Sequence, residues 1–316
     1  MISIIRMNSY ISITFMTVAE TIKKITREHL LKNKGLALGQ CLTAVGWVGG
    51  TVPELKQEEG LVELSMADVA GGGIAVGIAL AQRRPIYIVR YQGFQWYNAP
   101  MIINYAAKSK DMWGIPCPIF IRSIAMDGGI GPVASGSHHS MYSRMPGVPI
   151  CAPMTPKEYV AAWEYFMSHD DPLYVSEHRR SFAIDYEIDD SIQENPDITI
   201  LAISSTRLNA IDAIKTLEQE NIKCNLIHLF WLKPFEVTEK IINAINKSKC
   251  GALILDGDFE NGILKSLAYD ISQNVTKPIS ILGLEERSAG FAPQCDNLPP
   301  SAVKICNRIK TLIKNI

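Results

Sequence analysis

What most constrains this chain is a rhythm that runs, stops and restarts. Short β-branched runs, "KGLALGQCL", "GLVELSM", "RPIYIVRYQ", "CPIFIRSIAM", "VPICAP" and "PLYVSEH", alternate with stretches of helical period. Helices are expected over 72–82, beyond Pro100 in "QWYNAPMIINYAAKSK", and in "TPKEYVAAWEYFMSH". A charged link, residues 183–197, interrupts the pattern. The strands "ITILAIS", "KCNLIHLF", "GALILDGD" and "PISILGL" then resume it, with helices near 208–219, 237–247, 263–273 and 301–313. Strands joined through helices run parallel, and a parallel sheet is covered on both faces. The expected fold class is α/β: two doubly wound domains, one over 16–190 and one over 191–316. Thr17 and Glu20 form a capping box for the first helix, with Val18, Ile22 and Ile25 on one side. Residues 1–15 read as an N-terminal extension.

Composition removes several classes of function. The net charge is −1 over 316 residues, and no dense basic run is present. Nucleic acid is therefore not the expected partner, because phosphate binding needs clustered Lys and Arg. Apolar runs are broken by Gly, Arg or Gln before they reach membrane-spanning length. The seven cysteines are scattered, with no Cys-x-x-Cys pair. They read as buried reduced thiols in a cytoplasmic protein, and no metal site is expected of them.

Three strand ends carry chemistry, and ligands of α/β sheets bind beyond such ends. The first is "VELSMADVAGGGIAVGIALAQRRPI", where Asp68 precedes Gly71, Gly72 and Gly73. The spacing is not that of a dinucleotide loop, and no phosphate-cradling Gly-x-x-x-x-Gly-Lys-Ser/Thr motif occurs. Two readings stay open: Asp68 caps a helix packed through small residues, or it meets a ligand. The second end is "YQGFQWY", with Tyr91, Phe94 and Tyr97 at three-residue spacing, which suits either core or an aromatic pocket. The third is a long loop holding Asp127, His138, His139 and Ser140. Adjacent histidines are poor metal-ligand spacing, and no Gly-x-Ser-x-Gly elbow is present. "LDGDFENG", with Asp256, Asp258 and Glu260, lacks the remaining calcium-loop pattern and reads as a solvated strand-to-helix turn.

Taken together and in this order, these stretches resemble the beta subunit of the decarboxylating component of 2-oxo acid dehydrogenases, and equally the C-terminal half of transketolase. "ADVAGGGIAVGIALAQRRPI", "VRYQGFQWYNAPMIINYAAK", "PGVPICAPMTPKEYVAAW" and "HDDPLYVSEH" carry the likeness, with "GLEERSAGFAP" and "LPPSAVKICNRI" weaker. The resemblance implies a pyrimidine-binding domain followed by a transketolase C-terminal-like domain. It implies thiamine diphosphate shared between chains. Asp68 falls where the family's acid meets a ring nitrogen of the aminopyrimidine and favours the imino tautomer that activates the thiazolium. Tyr91, Phe94 and Tyr97 fall where an aromatic pocket holds the pyrimidine, and His139 where a histidine faces substrate, with His138 as competitor.

Two departures stand out. The family's acid is normally glutamate, whereas Asp68 is one methylene shorter. Only five residues separate Ser140 from Pro146, fewer than the family has. The Gly-Asp-Gly motif that holds magnesium and diphosphate is absent from the sequence. An alpha-type partner is thus expected to bind magnesium, in an α2β2 assembly acting on a 2-oxo acid or a sugar, with a lipoyl carrier protein as a candidate further partner. The rival readings are a split transketolase or related synthase subunit, and a non-catalytic structural or regulatory paralogue.

Overall fold

The computed structural model describes residues 16–128, 136–287 and 296–314. The expected extension over 1–15 lies outside the described residues. The chain opens with α1 (Val18–Asn33), whose capping box forms as the sequence implies: Thr17 Oγ1 accepts from the Glu20 N–H at 3.2 Å, and Glu20 returns a bond to the Thr17 N–H at 2.8 Å. Then come β1 (Leu36–Gln40), β2 (Leu61–Leu64), α2 (Asp68–Leu80) and β3 (Pro85–Val89). Helix α3 (Gln95–Met101) runs through a widened π turn, Ile102–Ala106, into α4 (Ala107–Trp113). The first domain closes with β4 (Phe120–Ala125), β5 (Ile150–Cys151), α5 (Pro156–Ser168) and β6 (Leu173–His178).

Two helices start earlier than the residue pattern suggests. Helix α2 begins at Asp68 rather than near residue 72, because glycines in its first turns weaken the period without breaking the helix. Helix α3 begins before Pro100 rather than beyond it. A proline there removes one backbone donor, and the π turn that follows absorbs the mismatch.

The second domain contains β7 (Ile198–Ile203), α6 (Thr206–Glu218), β8 (Cys224–Leu229), β9 (Trp231–Lys233), α7 (Glu239–Lys247), β10 (Ala252–Phe259), α8 (Ile263–Ser272), β11 (Ile279–Leu284) and α9 (Ala302–Lys314). Four of these five strands form one sheet, ordered β11-β10-β7-β8, all parallel. The first sheet is ordered β2-β1-β3-β4-β6-β5-β9. Its last strand belongs in sequence to the second domain: β9 lies antiparallel on β5, pairing Lys233 with Ile150 and Trp231 with Cys151. The link near residue 190 therefore does not separate the two units cleanly. One apolar cluster also runs through both, from Leu38, Tyr87 and Ile121 to Leu201, Ile203 and Ile254. Of the seven cysteines, the six described are free, and all but Cys41 are buried.

Beneath the first sheet Arg122 and Glu177 form a fully buried ion pair, with N···O distances of 2.6 and 2.9 Å. Thr51 Oγ1 accepts from Arg122, and Tyr159 donates to Glu177, each at 2.9 Å. Removing one charge of such a pair leaves the other desolvated and unmatched, at a cost of roughly 3–5 kcal/mol. We expect Glu177→Gln to lower unfolding stability by that amount in urea titrations. Pairing it with Arg122→Met should recover most of the loss; a single variant within 1 kcal/mol of the parent would mean that the pair is not structurally important.

Candidate active site

In the first sheet the order reverses between β1 and β3: β1 leads outward to β2, and β3 leads the other way to β4. A crevice opens beyond the carboxyl ends at such a reversal. Here it holds a cavity of about 150 Å³ whose lining includes Cys41, Asp68, Tyr87, Arg90, Tyr91 and Phe94, above a floor of Ile88 and Val89. The rings of Tyr91 and Phe94 lie 6.2 Å apart, tilted by 49°. The Arg90 guanidinium covers the Tyr91 ring at 5.3 Å. Asp68, Tyr91 and Phe94 are thus brought together as expected.

Asp68 does not cap its helix. Ala67 is the N-cap residue and makes no side-chain capping bond. Instead Asp68 Oδ1 accepts from Asn98 Nδ2 at 3.2 Å. Glu63 is no substitute for it: Glu63 is exposed on β2, and its carboxylate accepts from the Thr43 N–H at 3.3 Å. Tyr97 does not join the cavity. Its side chain is 50% exposed, because α3 buries Gln95, Asn98 and Ala99 and turns Tyr97 to the opposite side. A helix advances by roughly 100° per residue, so Tyr97, two positions from both Gln95 and Ala99, faces away from them.

His139, expected to face substrate, has its ring enclosed between the two domains. It is fully buried, and both ring nitrogens are engaged: Nε2 with Asp256 Oδ2 at 2.7 Å and Nδ1 with Ser176 Oγ at 3.0 Å. Asp256 and Asp258, expected in a solvated turn, are instead buried within β10. Asp258 Oδ2 accepts from the Ser140 N–H at 2.9 Å, and the Ile263 N–H donates to Ser140 Oγ at 3.0 Å. The two acids stand at alternate strand positions and so share one face, which turns them toward the first domain. That spacing at a strand's carboxyl end was the legible signal. Burial opposes the charge on His139, but the neighbouring Asp256 carboxylate, with Asp258 behind it, outweighs this and raises its pKa to about 9.

His138 takes the other side of the loop. Its N–H donates to Gln92 Oε1 at 2.7 Å, and its ring meets Trp96 edge-on at 6.4 Å. With Ser140, Met141, Arg144 and Phe259 it lines a cleft of about 690 Å³ between the domains. Gln92 joins the two regions: its side-chain amide donates to Ser176 Oγ at 2.8 Å and to Ser123 O at 3.1 Å. The smaller cavity offers one carboxylate, two aromatic walls and an apolar floor. That donor set suits the edge of a flat heteroaromatic ring with a basic nitrogen. Among the described residues, no group of three or more His, Cys, Asp or Glu side chains could hold a metal ion, and no helix is long and apolar enough to cross a membrane.

Residues 34–183 match the family model of the transketolase pyrimidine binding domain, and residues 190–295 that of the transketolase C-terminal domain. The pyruvate dehydrogenase E1 component subunit beta of Rickettsia bellii is 23% identical, covering 93% of this chain and 98% of that protein. The 2-oxoisovalerate dehydrogenase subunit beta of Bacillus subtilis is 26% identical, over 69% of this chain and 71% of that protein. Among solved structures, a split-gene transketolase in an inactive beta4 tetramer superposes with a TM-score of 0.74 at 14% identity, covering 94% of this chain and 97% of that one. The transketolase of Campylobacter jejuni gives 0.71 at 17% identity, with 94% of this chain on 46% of that one. At those identities the solved structures speak for the fold.

The raised pKa of His139 ties stability to pH. An unfolded histidine titrates near 6.5, so the stabilisation from the charged pair is full below that value and is lost as pH rises through about 9. Between pH 6.5 and 9.5 the parent should lose on the order of 2–3 kcal/mol more than Asp256→Asn, which has no carboxylate for His139. Denaturant titrations at both pH values test this, and parallel pH slopes for the two proteins would refute the charged pair.

Proposed function

From a chain built as a transketolase pyrimidine-binding domain followed by a transketolase C-terminal domain, we propose a beta-type subunit of a thiamine-diphosphate enzyme that acts on a 2-oxo acid, completed by an alpha-type partner. The observation that carries this reading is the meeting of Asp68, Tyr91 and Phe94 in one cavity at the sheet's reversal point. Asp68 would hold a ring nitrogen of the aminopyrimidine, and Tyr91 and Phe94 would flank the ring. The bound cofactor supplies an electron sink for cleaving the bond next to a carbonyl. The chain itself holds the pyrimidine half of the site. Diphosphate and magnesium fall to the partner, because this sequence has no Gly-Asp-Gly motif. His138, rather than His139, would exchange protons with a substrate in the interdomain cleft it lines.

A non-catalytic subunit is the second reading. The withdrawal of His139 into an ion pair with Asp256 favours it.

Calorimetric titration of thiamine diphosphate with magnesium, into the chain alone and into its mixture with the alpha-type partner, separates these readings. Binding to the mixture alone is the expected result. Binding to neither, in a complex that does assemble, would select the non-catalytic subunit. Each aromatic wall contributes on the order of 1 kcal/mol, so Tyr91→Ala and Phe94→Ala should each weaken the mixture's affinity roughly fivefold. Unchanged affinity in both would move the ring elsewhere.

A further inference from the structure

Behind Asp68 stands a row of buried polar side chains that begins at Tyr87, one of the residues lining the cavity. Asn98 Nδ2 donates to Asp68 Oδ1 at 3.2 Å and to the Phe94 carbonyl at 3.0 Å. Asn98 Oδ1 accepts a short bond from Tyr87 Oη. Asn98 and Tyr87 are 0% and 2% exposed. Burial, with the Asp68 charge nearby, pushes the Tyr87 phenol well above its ordinary range, so it remains a donor. Because Tyr87 must donate, the oxygen of the Asn98 amide has to face it, and the amide nitrogen then has to face Asp68. The three side chains form a directed row, Tyr87 to Asn98 to Asp68.

The glycines after the acid make room for this row. A Cβ on Gly71 would stand 2.7 Å from Tyr87 Oη. One on Gly72 would stand 3.2 Å from the Asn98 carbonyl oxygen and 3.4 Å from its Oδ1. The helix carrying Asp68 thus approaches β3 and α3 closely at the turn where the row passes.

We propose that Tyr87 and Asn98 are positioning residues for Asp68. By holding one carboxylate oxygen, the Asn98 amide fixes the shorter acid in a single pose and leaves its other oxygen for a ring nitrogen. This inference rests on the thiamine-diphosphate reading above. An aspartate without that hold samples several staggered rotamers. Displacement of a reacting group by about 1 Å can cost roughly a hundredfold.

The test uses the chain assembled with its alpha-type partner, with thiamine diphosphate and magnesium as the probe. The readouts are cofactor affinity by calorimetry and deuterium exchange at the thiazolium carbon by NMR, neither of which needs substrate turnover. Tyr87→Phe with Asn98→Ala removes the phenol and its amide acceptor together, so neither is left facing an empty partner, while Asp68 Oδ1 and the Phe94 carbonyl lose the amide's donor. Exchange should slow on the order of 10–100-fold, with affinity held within about threefold. Adding Asp68→Glu to that double variant should restore at least about tenfold, since the longer side chain reaches without the row. In the parent, Asp68→Glu should bring no gain. A folded double variant that exchanges at the parent's rate overturns the positioning role alone. A parent assembly that binds no cofactor overturns this inference and the reading beneath it. If the double variant fails to assemble, Tyr87→Phe alone decides: it should slow exchange by about threefold or more, and an unchanged rate refutes the row.

Discussion

The arrangement depends on one constraint, the reversal of strand order in a parallel sheet. Helices cover both faces of such a sheet, so its carboxyl edge is where a crevice can open. In the first domain the reversal lies between β1 and β3, and the Asp68 cavity sits on it. The second domain repeats the geometry between β7 and β10. Its β10 acids lie on that edge and reach across to His139 and Ser140. The two edges therefore meet, and the larger cleft is the space left between them.

This contact explains how the histidines divide their roles. His139 is held by one domain through Ser176 and by the other through Asp256. Its charge is thus spent on holding the two units in register. Arg207 on α6 adds a second bridge, with its two terminal guanidinium nitrogens each 2.8 Å from a Glu158 oxygen on α5. His138, one residue earlier, lines the cleft. Adjacent loop residues point apart, so a buried anchor and a cleft-lining imidazole can sit side by side.

Much of the fold was legible because strands of a parallel sheet, buried on both faces, read as unbroken apolar runs. β3 is such a run; β4 and β6 are equally buried along their whole length, but their apolar runs are broken by Arg122, Ser176 and Glu177, which find partners inside the protein. β9 left no such trace, since three residues give no period and its partner strand lies some eighty positions upstream. At the site, the family resemblance pointed to Asp68, Tyr91 and Phe94, which share one cavity. Tyr97 misled because three-residue spacing presumes one helix, whereas Tyr91 has extended backbone and Phe94 ends a single 3₁₀ turn. The partner of His139 was invisible locally, being 117 positions away. Tyr87 looked like one more apolar strand residue, yet a buried phenol needs an acceptor, and that need was the available clue.

The placement of β9 bears on how this chain could be divided. β5 has only two residues in the sheet, and β9 covers its outer edge. Lys233 fastens the same spot by donating to the carbonyls of Tyr142 and Met145. A fragment ending at the charged link would present that edge bare, with unpaired N–H and C=O groups open to another chain. The remaining fragment would carry a loose strand suited to fill it. β9 is therefore a piece of the first sheet carried by the second half, and a cut at the link would leave an edge and a strand suited to pairing between copies.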